Sequence, residues 1–379
     1  MEFAPSADDL AIAESIRQLS DDLLRARAKD IDETGRFVSE HLAPLAGLGV
    51  MGLNLPERWG GAGASAVALY LGMESMAAAC CSTASMVGAH FLATDAILIG
   101  GDDAQRARFL PRAARGGILG AFALTEPRAG SNPADMSTRA TREGGGYRIT
   151  GTKHFISNAG HADFIVVFAK TDPQAGARGI TAFVVDPRAG GVSVSRPEKT
   201  MGLRGGHAHE VALDCVVAES DRLGPEGSGF RTALKVLDNG RVEVAAICTG
   251  MAREALALAL SWARQREVGG QPIAGFQGLQ WMLADMATEL DAARLLGLRA
   301  ASLRASGARF SQEASMAKLF ASERAGAIVD RALQIHGGYG YSRALPLERM
   351  ARDIRIMRIY EGSSEIQRNI IARALLAPP

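Results

Sequence analysis

Residues 120–125, GAFALT, mark the point at which the sequence changes from a helical to a strand pattern. Before them, residues 10–24 repeat apolar side chains at helical spacing, and the many alanines favour helices. After them, segments rich in Val, Ile, Phe and Thr follow one another, separated only by turn residues. Strands without helices between them predict an antiparallel sheet or a small barrel.

The predicted elements run in the order helices, sheet, helices. The first helices are expected at 10–24, 41–53, 65–88, 90–98 and 102–110, where Ser65 and Asp102 or Asp103 are candidate N-caps. The strands are expected at 120–125, 147–151, 153–157, 163–170, 180–185 and 209–217. Helices at 241–266, 276–303, 312–336 and 366–376 predict a bundle.

We therefore expect an α+β multidomain protein. An N-terminal α-helical domain would cover 1–117, a middle antiparallel β-barrel-like domain 118–226, and a C-terminal four-helix bundle 227–379.

Composition is that of a soluble globular protein, with 47% hydrophobic and 22% charged residues. The net charge of +1 argues against a nucleic-acid partner. No apolar run is expected to span a membrane, and residues 1–10 lack the features of a signal peptide. The four cysteines show neither metal-ligand nor disulfide spacing, so we expect buried thiols and a cytoplasmic location.

The segment IYEGSSEIQR, at 359–368, contains the first candidate for catalysis. Glu361 precedes a glycine, Gly362, and two hydroxyls, Ser363 and Ser364, either of which can cap the helix that follows. A carboxylate in a cleft at that point would be a candidate general base. Taken alone, the segment fits an ordinary acidic helix start better than a catalytic site.

Two segments of the middle domain suit a ligand. FALTEPRAGSN, at 122–132, places the hydroxyls of Thr125 and Ser131 in a Pro/Gly loop that suits a polar ligand edge or a phosphate. KHFISNAG, at 153–160, places an aromatic ring, Phe155, near a hydroxyl, which suits a flat ring. An ordinary turn and an ordinary strand remain open as interpretations.

Other candidates are weaker. The glycine-rich loop 201–207 is not a dinucleotide fingerprint. His207 and His209 would share one strand face, but without a third ligand they predict no metal site. Hydrogen-bonded histidines are expected there and at His336. The glycines after His336 are either a helix C-cap or a phosphate site.

LDNGR, at 237–241, is expected to open the long helix, with Asp238 as its cap. Arg241 would then hold either a polar group of the substrate or a structural carboxylate.

Six segments together resemble the acyl-CoA dehydrogenase family of flavoproteins. They are AFALTEPRAGS at 121–131, KHFISNAG at 153–160, MGLRG at 201–205, LDNGR at 237–241, QIHGGYGY at 334–341 and IYEGSSEIQR at 359–368. The resemblance implies the three-domain fold given above, FAD as cofactor, and a homotetramer built as a dimer of dimers.

The resemblance also implies site residues. Contacts to the flavin and its phosphates would come from Phe122, Leu124, Thr125, Gly130, Ser131, Phe155 and Ser157. The adjacent subunit would hold the ADP half through Arg266, Gln277, Gln334, Gly337 and Gly338, while Ser363 and Glu365 would lie beside the FAD. Substrate contacts would come from Ser131, Asp238, Arg241 and Gly362.

The implied reaction is α,β-dehydrogenation of an acyl-CoA in fatty acid β-oxidation. Glu361 would remove the α-proton while hydride leaves the β-carbon for flavin N5, giving the trans-2-enoyl-CoA. The Glu361 backbone N–H would stabilise the developing oxyanion, and a dry cleft would raise the carboxyl pKa towards neutrality. Electrons would pass to an electron-transfer flavoprotein.

Some positions depart from the family pattern. Gly240 stands where some members carry the base, so Glu361 has no rival there. Gly269 replaces a usual Phe that packs on the cofactor. Asn132 replaces Asp, Ser157 replaces Thr, and Ala177 stands near a Ser that contacts CoA in some members.

Three alternatives stay open. One is a dehydrogenase of carrier-protein-bound acyl thioesters, with an oxygen-using oxidase as a variant. Another is a related flavoprotein that binds a macromolecule such as DNA, which would need a basic patch and no base at 361. A flavin hydroxylase relative would also lack that glutamate.

Overall fold

The computed structural model describes residues 5–377. The parts of the signal-peptide prediction and of the two outer domain ranges that fall on 1–4 and 378–379 lie outside these residues. The N-terminal part is helical: α1 (Ala7–Leu19), α2 (Arg25–Thr34), α3 (Leu42–Gly47), α4 (Ala66–Ala79), α5 (Cys81–Gly100) and α6 (Asp103–Ala114).

Several predicted helix bounds were wrong. A π turn at Ser20–Leu24 joins α1 to α2, and only α3 and short 3₁₀ turns occupy the predicted helix at 41–53. The break expected near Gly88 lies at Cys80, whose extended backbone separates α4 from α5. Helix α6 continues through Pro111.

Both predicted caps in this part are present. The Ser65 hydroxyl accepts hydrogen bonds from the backbone N–H groups of Val67 and Ala68. Asp102 forms a reciprocal capping box with Gln105. The start of each helix is thus fixed by a polar side chain, as the sequence predicted.

The middle part is one sheet in the order β6-β7-β3-β2-β4-β5-β8. Most pairings are antiparallel, as expected, but β1 pairs with β4 in parallel, and so does β2 at a single residue pair. The predicted strands at 147–151 and 153–157 are one long strand, and β2, β6 and β8 were not predicted. The bounds are β1 (Gly120–Ala123), β2 (Arg139–Glu143), β3 (Gly146–Ser157), β4 (Phe164–Lys170), β5 (Ile180–Val185), β6 (Val192–Val194), β7 (Ala208–Ala218) and β8 (Arg222–Leu223).

The C-terminal part is a bundle of four main helices, two short ones and a small hairpin. Helix α7 begins at Gly229, twelve residues before the predicted start, so Asp238 lies inside the helix and is not its cap. The bounds are α7 (Gly229–Gln265), β9 (Glu267–Val268), β10 (Gln271–Pro272), α8 (Gln277–Ala305), α9 (Ser311–His336), α10 (Gly338–Tyr341), α11 (Leu347–Asp353) and α12 (Ser364–Leu376).

Alternate side chains of the sheet enter two different cores. Val166 and Phe168 pack with Ala233 and Val236 of α7, whereas Ile165 and Val167 pack inside the sheet domain. Helix α7 also packs against α4, α5, α8 and α9. It therefore joins all three parts of the chain.

Helices α5 and α7 are long and apolar enough to cross a membrane by length and composition, which corrects the expectation that no segment would be. In both, 67% of the apolar window is buried inside the protein. Their apolar surface is therefore accounted for by the protein core.

Candidate active site

A cleft of about 580 Å³ opens where the sheet meets α5, α7 and α12. Ten of the predicted site residues line it: Phe122, Leu124, Thr125, Gly130, Ser131, Phe155, Ser157, Arg241, Glu361 and Gly362. The sheet supplies the ring and the hydroxyls, and the helical part supplies the carboxylate. Segments far apart in sequence thus form one site.

Glu361 lies on a turn with an unusual backbone. Its φ is +52°, a left-handed value that is costly for a side chain other than glycine, and Gly362 follows at +91°. Gln367 Nε2 donates to the carbonyl oxygens of both residues, at 3.1 and 2.9 Å. Lys318 Nζ donates to the Gly362 carbonyl at 2.7 Å. Contacts from α9 and α12 therefore hold this turn in place.

Gly240 of α7 makes room for the Glu361 carboxylate. A Cβ at position 240 would lie 2.2 Å from Glu361 Oε2 and 2.8 Å from Leu92 Cδ2. Real side-chain atoms do not approach so closely, so the carboxylate occupies space that only a glycine leaves free.

The Glu361 carboxyl is poised for proton transfer. Its Oε2 atom is buried and has no hydrogen-bond partner among the residues that the structure describes. Burial raises its pKa to about 7, although Lys318 and Arg241 act in the opposite direction. The expected shift towards neutrality is thus confirmed. A partnerless oxygen in a cleft is free to accept a proton from a ligand.

An ion pair with Asp238 fixes the position of the Arg241 side chain. Its Nη1 donates to Asp238 Oδ1 at 2.5 Å, one turn earlier on α7, and Ser311 donates to the same oxygen at 2.9 Å. Of the two readings left open for Arg241, the structural carboxylate is present. The arginine also reaches the cleft, whereas Asp238 is not among the lining residues.

Phe155 faces the cleft because β3 is irregular at that point. The pairing of β3 with β7 shifts between Lys153 and Ile156, and Phe155 has φ +57°. Phe155 is 62% exposed. The alternative interpretation, an ordinary strand in which Phe155 is buried, was therefore wrong. An exposed flat ring at a cleft wall offers a surface for another flat ring.

A buried ion pair holds the loop that carries Ser131. Lys153 Nζ donates to Glu126 Oε1 at 2.9 Å and to the Leu124 carbonyl at 3.1 Å. Glu126 also accepts bonds from the backbone N–H groups of Ser137 and Thr138. Burial lowers the pKa of Lys153 to about 8, and Lys153 in turn helps keep that of Glu126 at about 2. The pair ties β1, β3 and the loop together.

A second cleft, of about 680 Å³, lies between the end of α7 and the end of α9. Four of the five residues expected to hold the ADP half line it: Arg266, Gln334, Gly337 and Gly338. Gln277, the first residue of α8, is not among its lining residues. Trp262 stacks on His336 in its wall, with ring centroids 4.9 Å apart.

Some residues that the sequence predicted for the site lie outside both clefts. Ser363 is the N-cap of α12 but its hydroxyl bonds no backbone N–H of that helix, and neither it nor Glu365 lines the first cleft. Gly269 lies in the β9–β10 turn with φ +62°, and a Cβ there would touch nothing within 4 Å. The position of the usual Phe is therefore open space in this chain.

Sequence reasoning missed two polar residues near Glu361. Lys318 reaches the turn from α9, and no local motif marks it. Glu243 lines the cleft from α7, one turn after Gly240. Its position follows from helical spacing once α7 is known to run through Gly240, a signal that was lost when the helix start was placed too late.

The residues present fit FAD. A cleft wall with an exposed aromatic ring and hydroxyls suits a flavin ring, and the glycine-lined second cleft suits an ADP half. FAD, when bound, supplies an acceptor for a hydride.

Comparisons with known proteins agree with the fold. Models of the acyl-CoA dehydrogenase N-terminal, middle and C-terminal domains match residues 6–117, 121–216 and 227–376. The chain is 39% identical to the acryloyl-CoA reductase (NADH) of Anaerotignum propionicum, over 99% of this chain and 96% of that protein. It is 40% identical to a subunit of the caffeyl-CoA reductase–Etf complex of Acetobacterium woodii, over 92% of each.

A solved structure, butyryl-CoA dehydrogenase from Megasphaera elsdenii, matches all of this chain and all of its own with a TM-score of 0.97 and 35% identity. Family, fold and site geometry point the same way. The chain belongs to the acyl-CoA dehydrogenase family, an FAD-dependent family of oxidoreductases.

Proposed function

We propose that this protein catalyses FAD-dependent α,β-dehydrogenation of an acyl-CoA to the trans-2-enoyl-CoA. The observation that carries the proposal is the Glu361 carboxyl, which has a partnerless oxygen in the cleft and a pKa near 7. Such a group can hold or release a proton at physiological pH, as abstraction from an α-carbon requires.

Glu361 acts as the base and also positions the thioester. Its backbone N–H has no acceptor among residues 5–377, since the bonds to this turn go to its carbonyl oxygens. That N–H is available to the thioester carbonyl oxygen, where charge develops as the α-proton leaves. The apolar side chains of the cleft exclude water and strengthen this bond.

The site residues keep their proposed roles. The flavin lies against Phe155 and Ser157, and the loop with Gly130 and Ser131 holds its phosphates. Arg241 and Gly362 contact the acyl-CoA, whereas Asp238 contributes by holding Arg241.

We propose that the two halves of each FAD site come from two copies of the chain, in a homotetramer built as a dimer of dimers. Four of the five ADP-half residues lie in a cleft of their own, separate from the one that contains Glu361. Tyr339 lines that cleft and is 56% exposed, and Trp281 of α8 is 63% exposed; exposed apolar rings of this kind are typical of a surface that another subunit covers.

We further propose a cytoplasmic enzyme of fatty acid β-oxidation that passes its electrons to an electron-transfer flavoprotein. The naming of an Etf complex in one relative supports this acceptor. The reductase names of that relative and of the Anaerotignum protein favour a second candidate, the same chemistry run as enoyl-CoA reduction.

Anaerobic bleaching of the flavin by a panel of acyl-CoAs tests the proposal. The purified protein is expected to be yellow and to bleach with at least one acyl-CoA. The Glu361→Gln variant is expected to keep its FAD and its fold but to bleach about 100-fold to 10,000-fold more slowly, the range typical of a lost general base. Bleaching of this variant at the wild-type rate would refute the base assignment.

A further inference from the structure

Three histidines meet on the side of the sheet domain that faces α2. His161 ends the turn after β3, His207 directly precedes β7, and His209 lies on β7 opposite Ile156. One ring nitrogen from each lies within 4.8 Å of the other two. The sequence pair His207 and His209 lacked a third ligand, and folding supplies it from a segment about 46 residues earlier.

Backbone carbonyls fix which nitrogens are free. His207 Nε2 lies 2.8 Å from the Gly35 carbonyl oxygen, and His209 Nδ1 lies 2.9 Å from that of Ser195. Each of these nitrogens must carry the proton and donate it, so the other nitrogen of each ring has a free lone pair. Metal-binding histidines in proteins are oriented in the same way, by a carbonyl or carboxylate on the far nitrogen.

The lone pairs of these rings lie near one another. His207 Nδ1 lies 3.2 Å from His161 Nε2, a hydrogen bond in which His207 Nδ1 is the acceptor and which a metal ion would replace. His209 Nε2 is buried with no hydrogen-bond partner among the described residues. The His209 side chain is only 3% exposed, so its free nitrogen gains nothing from water.

The surroundings hold the rings in place and leave a way in. Phe37 stacks on His161 with ring centroids 3.8 Å apart, and Gly160 lies so close to His209 that a Cβ there would fall 2.6 Å from Nε2. His161 is exposed, so an ion can enter from solvent beside it. Tetrahedral Zn²⁺ with bonds of about 2.1 Å needs nitrogens about 3.4 Å apart, which small rotations of the rings would give.

We propose that His161, His207 and His209 bind one divalent transition-metal ion of the zinc class, with water in the fourth position. The ion would join the turn after β3 to β7 and, through His207 and Gly35, to the end of α2. It would be structural in this chain, because Glu361 lies in another cleft.

Titration of the tag-free, metal-free holoenzyme with Zn²⁺ by calorimetry tests the site, and Co²⁺ absorption reports its geometry. We expect one ion per chain, a tetrahedral Co²⁺ spectrum, and a higher thermal midpoint with Zn²⁺. His161→Gln and His209→Gln should each weaken binding by about tenfold or more. His154→Gln, a histidine outside the cluster, should bind as the wild type does.

Flavin absorbance checks that each variant is folded. Absence of binding in the wild type, or equal binding in the His161 and His209 variants, would overturn the proposal. A six-coordinate Co²⁺ spectrum that the variants do not change would do the same, since it would place the ion elsewhere.

A buried acid of α7, Glu243, also lines the first cleft. It is 2% exposed and lies one helical turn after Gly240. Arg304 lies 3.5 Å from Glu243 Oε1 but is shared with Asp95, at 3.7 Å. Asn54 and Asn239 donate to Asp95 and fix its carboxylate. Two acids thus compete for one guanidinium beside the cleft.

Gly88, on the opposite helix α5, lines the same end of the cleft, and a Cβ there would be in van der Waals contact with Glu243 Oε2, at 3.8 Å. Arg304 donates to Oε1, and no side chain among residues 5–377 donates to Oε2. Burial, followed by Asp95 and Glu361, raises the pKa of Glu243 to about 8 against the effect of Arg304. The Glu243 carboxyl therefore presents a polar group to the cleft, and a plain hydrocarbon tail could not form a hydrogen bond with it.

Resting on the proposed function, we infer that the acyl group carries a hydroxyl near its far end. A hydroxyl can both donate to and accept from the Glu243 carboxyl, whereas a methyl end would leave its Oε2 atom without a partner.

The test compares bleaching by straight acyl-CoAs of four to six carbons with their terminal hydroxyl counterparts. The wild type should favour a polar tail by about tenfold or more in kcat/KM, and Glu243→Leu should reverse that order. Preference for the hydrocarbon in the wild type, unchanged by Glu243→Leu, would overturn the inference alone. Bleaching by none of the compounds would instead count against the proposed function.

Discussion

Glu361 has a left-handed backbone and a carboxyl oxygen without a partner, two features that each cost free energy. Proteins retain such features where the surrounding structure enforces them. Here Lys318 and Gln367 enforce the turn through its carbonyl oxygens. The reactive carboxyl is therefore left free while the backbone that carries it is fixed.

The pKa of Glu361 predicts the pH profile. Only the ionised carboxylate can accept the α-proton, and burial raises its pKa to about 7. We expect kcat/KM to rise about tenfold per pH unit below 7 and to level off above it. Stopped-flow bleaching between pH 5 and 9 measures this; a profile that is flat from pH 5 upwards would contradict the burial argument.

Replacing Gly240 by Ala should displace the base. The new methyl group would need the space that Glu361 Oε2 now occupies, so the carboxylate must move away from the substrate. A misplacement of this size costs about 100-fold in kcat. Gly278→Ala is the matched control, because a Cβ there touches nothing within 4 Å. Equal rates for the two variants would show that the Glu361 carboxylate does not lie against residue 240 in the working enzyme.

For individual residues, the sequence predicted which side chains share the cleft better than it predicted the contacts between side chains. The order of six short segments indicated Glu361 and the flavin-facing residues correctly as members of one cleft. Lys318 and the third histidine, His161, could not be found in that way. Each reaches its partners through the tertiary fold, and spacing along the chain carries no information about such contacts.

Strand β3 is the element on which the flavin side of the site depends. Lys153, buried on this strand, bonds Glu126 and the Leu124 carbonyl. Lys153→Met would leave the Glu126 carboxylate buried without its cation, which costs about 3–5 kcal/mol.

We expect Lys153→Met to lower the urea midpoint and to release FAD more easily, since the loop that carries Ser131 loses its anchor. Lys29→Met, at a position whose side chain is 61% exposed, is the control and should be nearly neutral. Denaturant titration followed by flavin fluorescence measures both effects. An unchanged midpoint in Lys153→Met would argue against the anchor.

Elements were predicted where periodicity was strong and missed where bounds depend on packing. The long helices α8 and α9 were nearly correct, whereas the break at Cys80 has no Gly or Pro to mark it. The start of α7 was placed twelve residues late because Asn239 and Gly240 look like a helix boundary. Burial of both flanks keeps them helical. Strand β2 is exposed at four of its five residues and carries little apolar signal.

For the whole molecule, the two separate clefts predict complementation between inactive variants. Glu361→Gln keeps the second cleft, and Arg266→Glu, which alters that cleft, keeps the base. If each FAD site draws on two copies, a hybrid of these two variants contains some sites that are intact in both halves.

Co-expressed and jointly purified, the two variants should regain about one quarter of the activity of the wild type, as random pairing gives. Separately purified and mixed without subunit exchange, they should stay inactive, which is the control. Activity that never returns in the hybrid would indicate that one copy supplies the whole site.

The buried carboxyl of Glu361 can serve the reaction in either direction. With a pKa of about 7, the group is present in both forms at neutral pH, so one form can take a proton from the α-carbon and the other can return it. Microscopic reversibility requires the same carboxyl to serve both ways. This carboxyl thus sets no preference between saturating and desaturating the thioester. The relative supply of electrons and acceptors around it decides which way carbon flows.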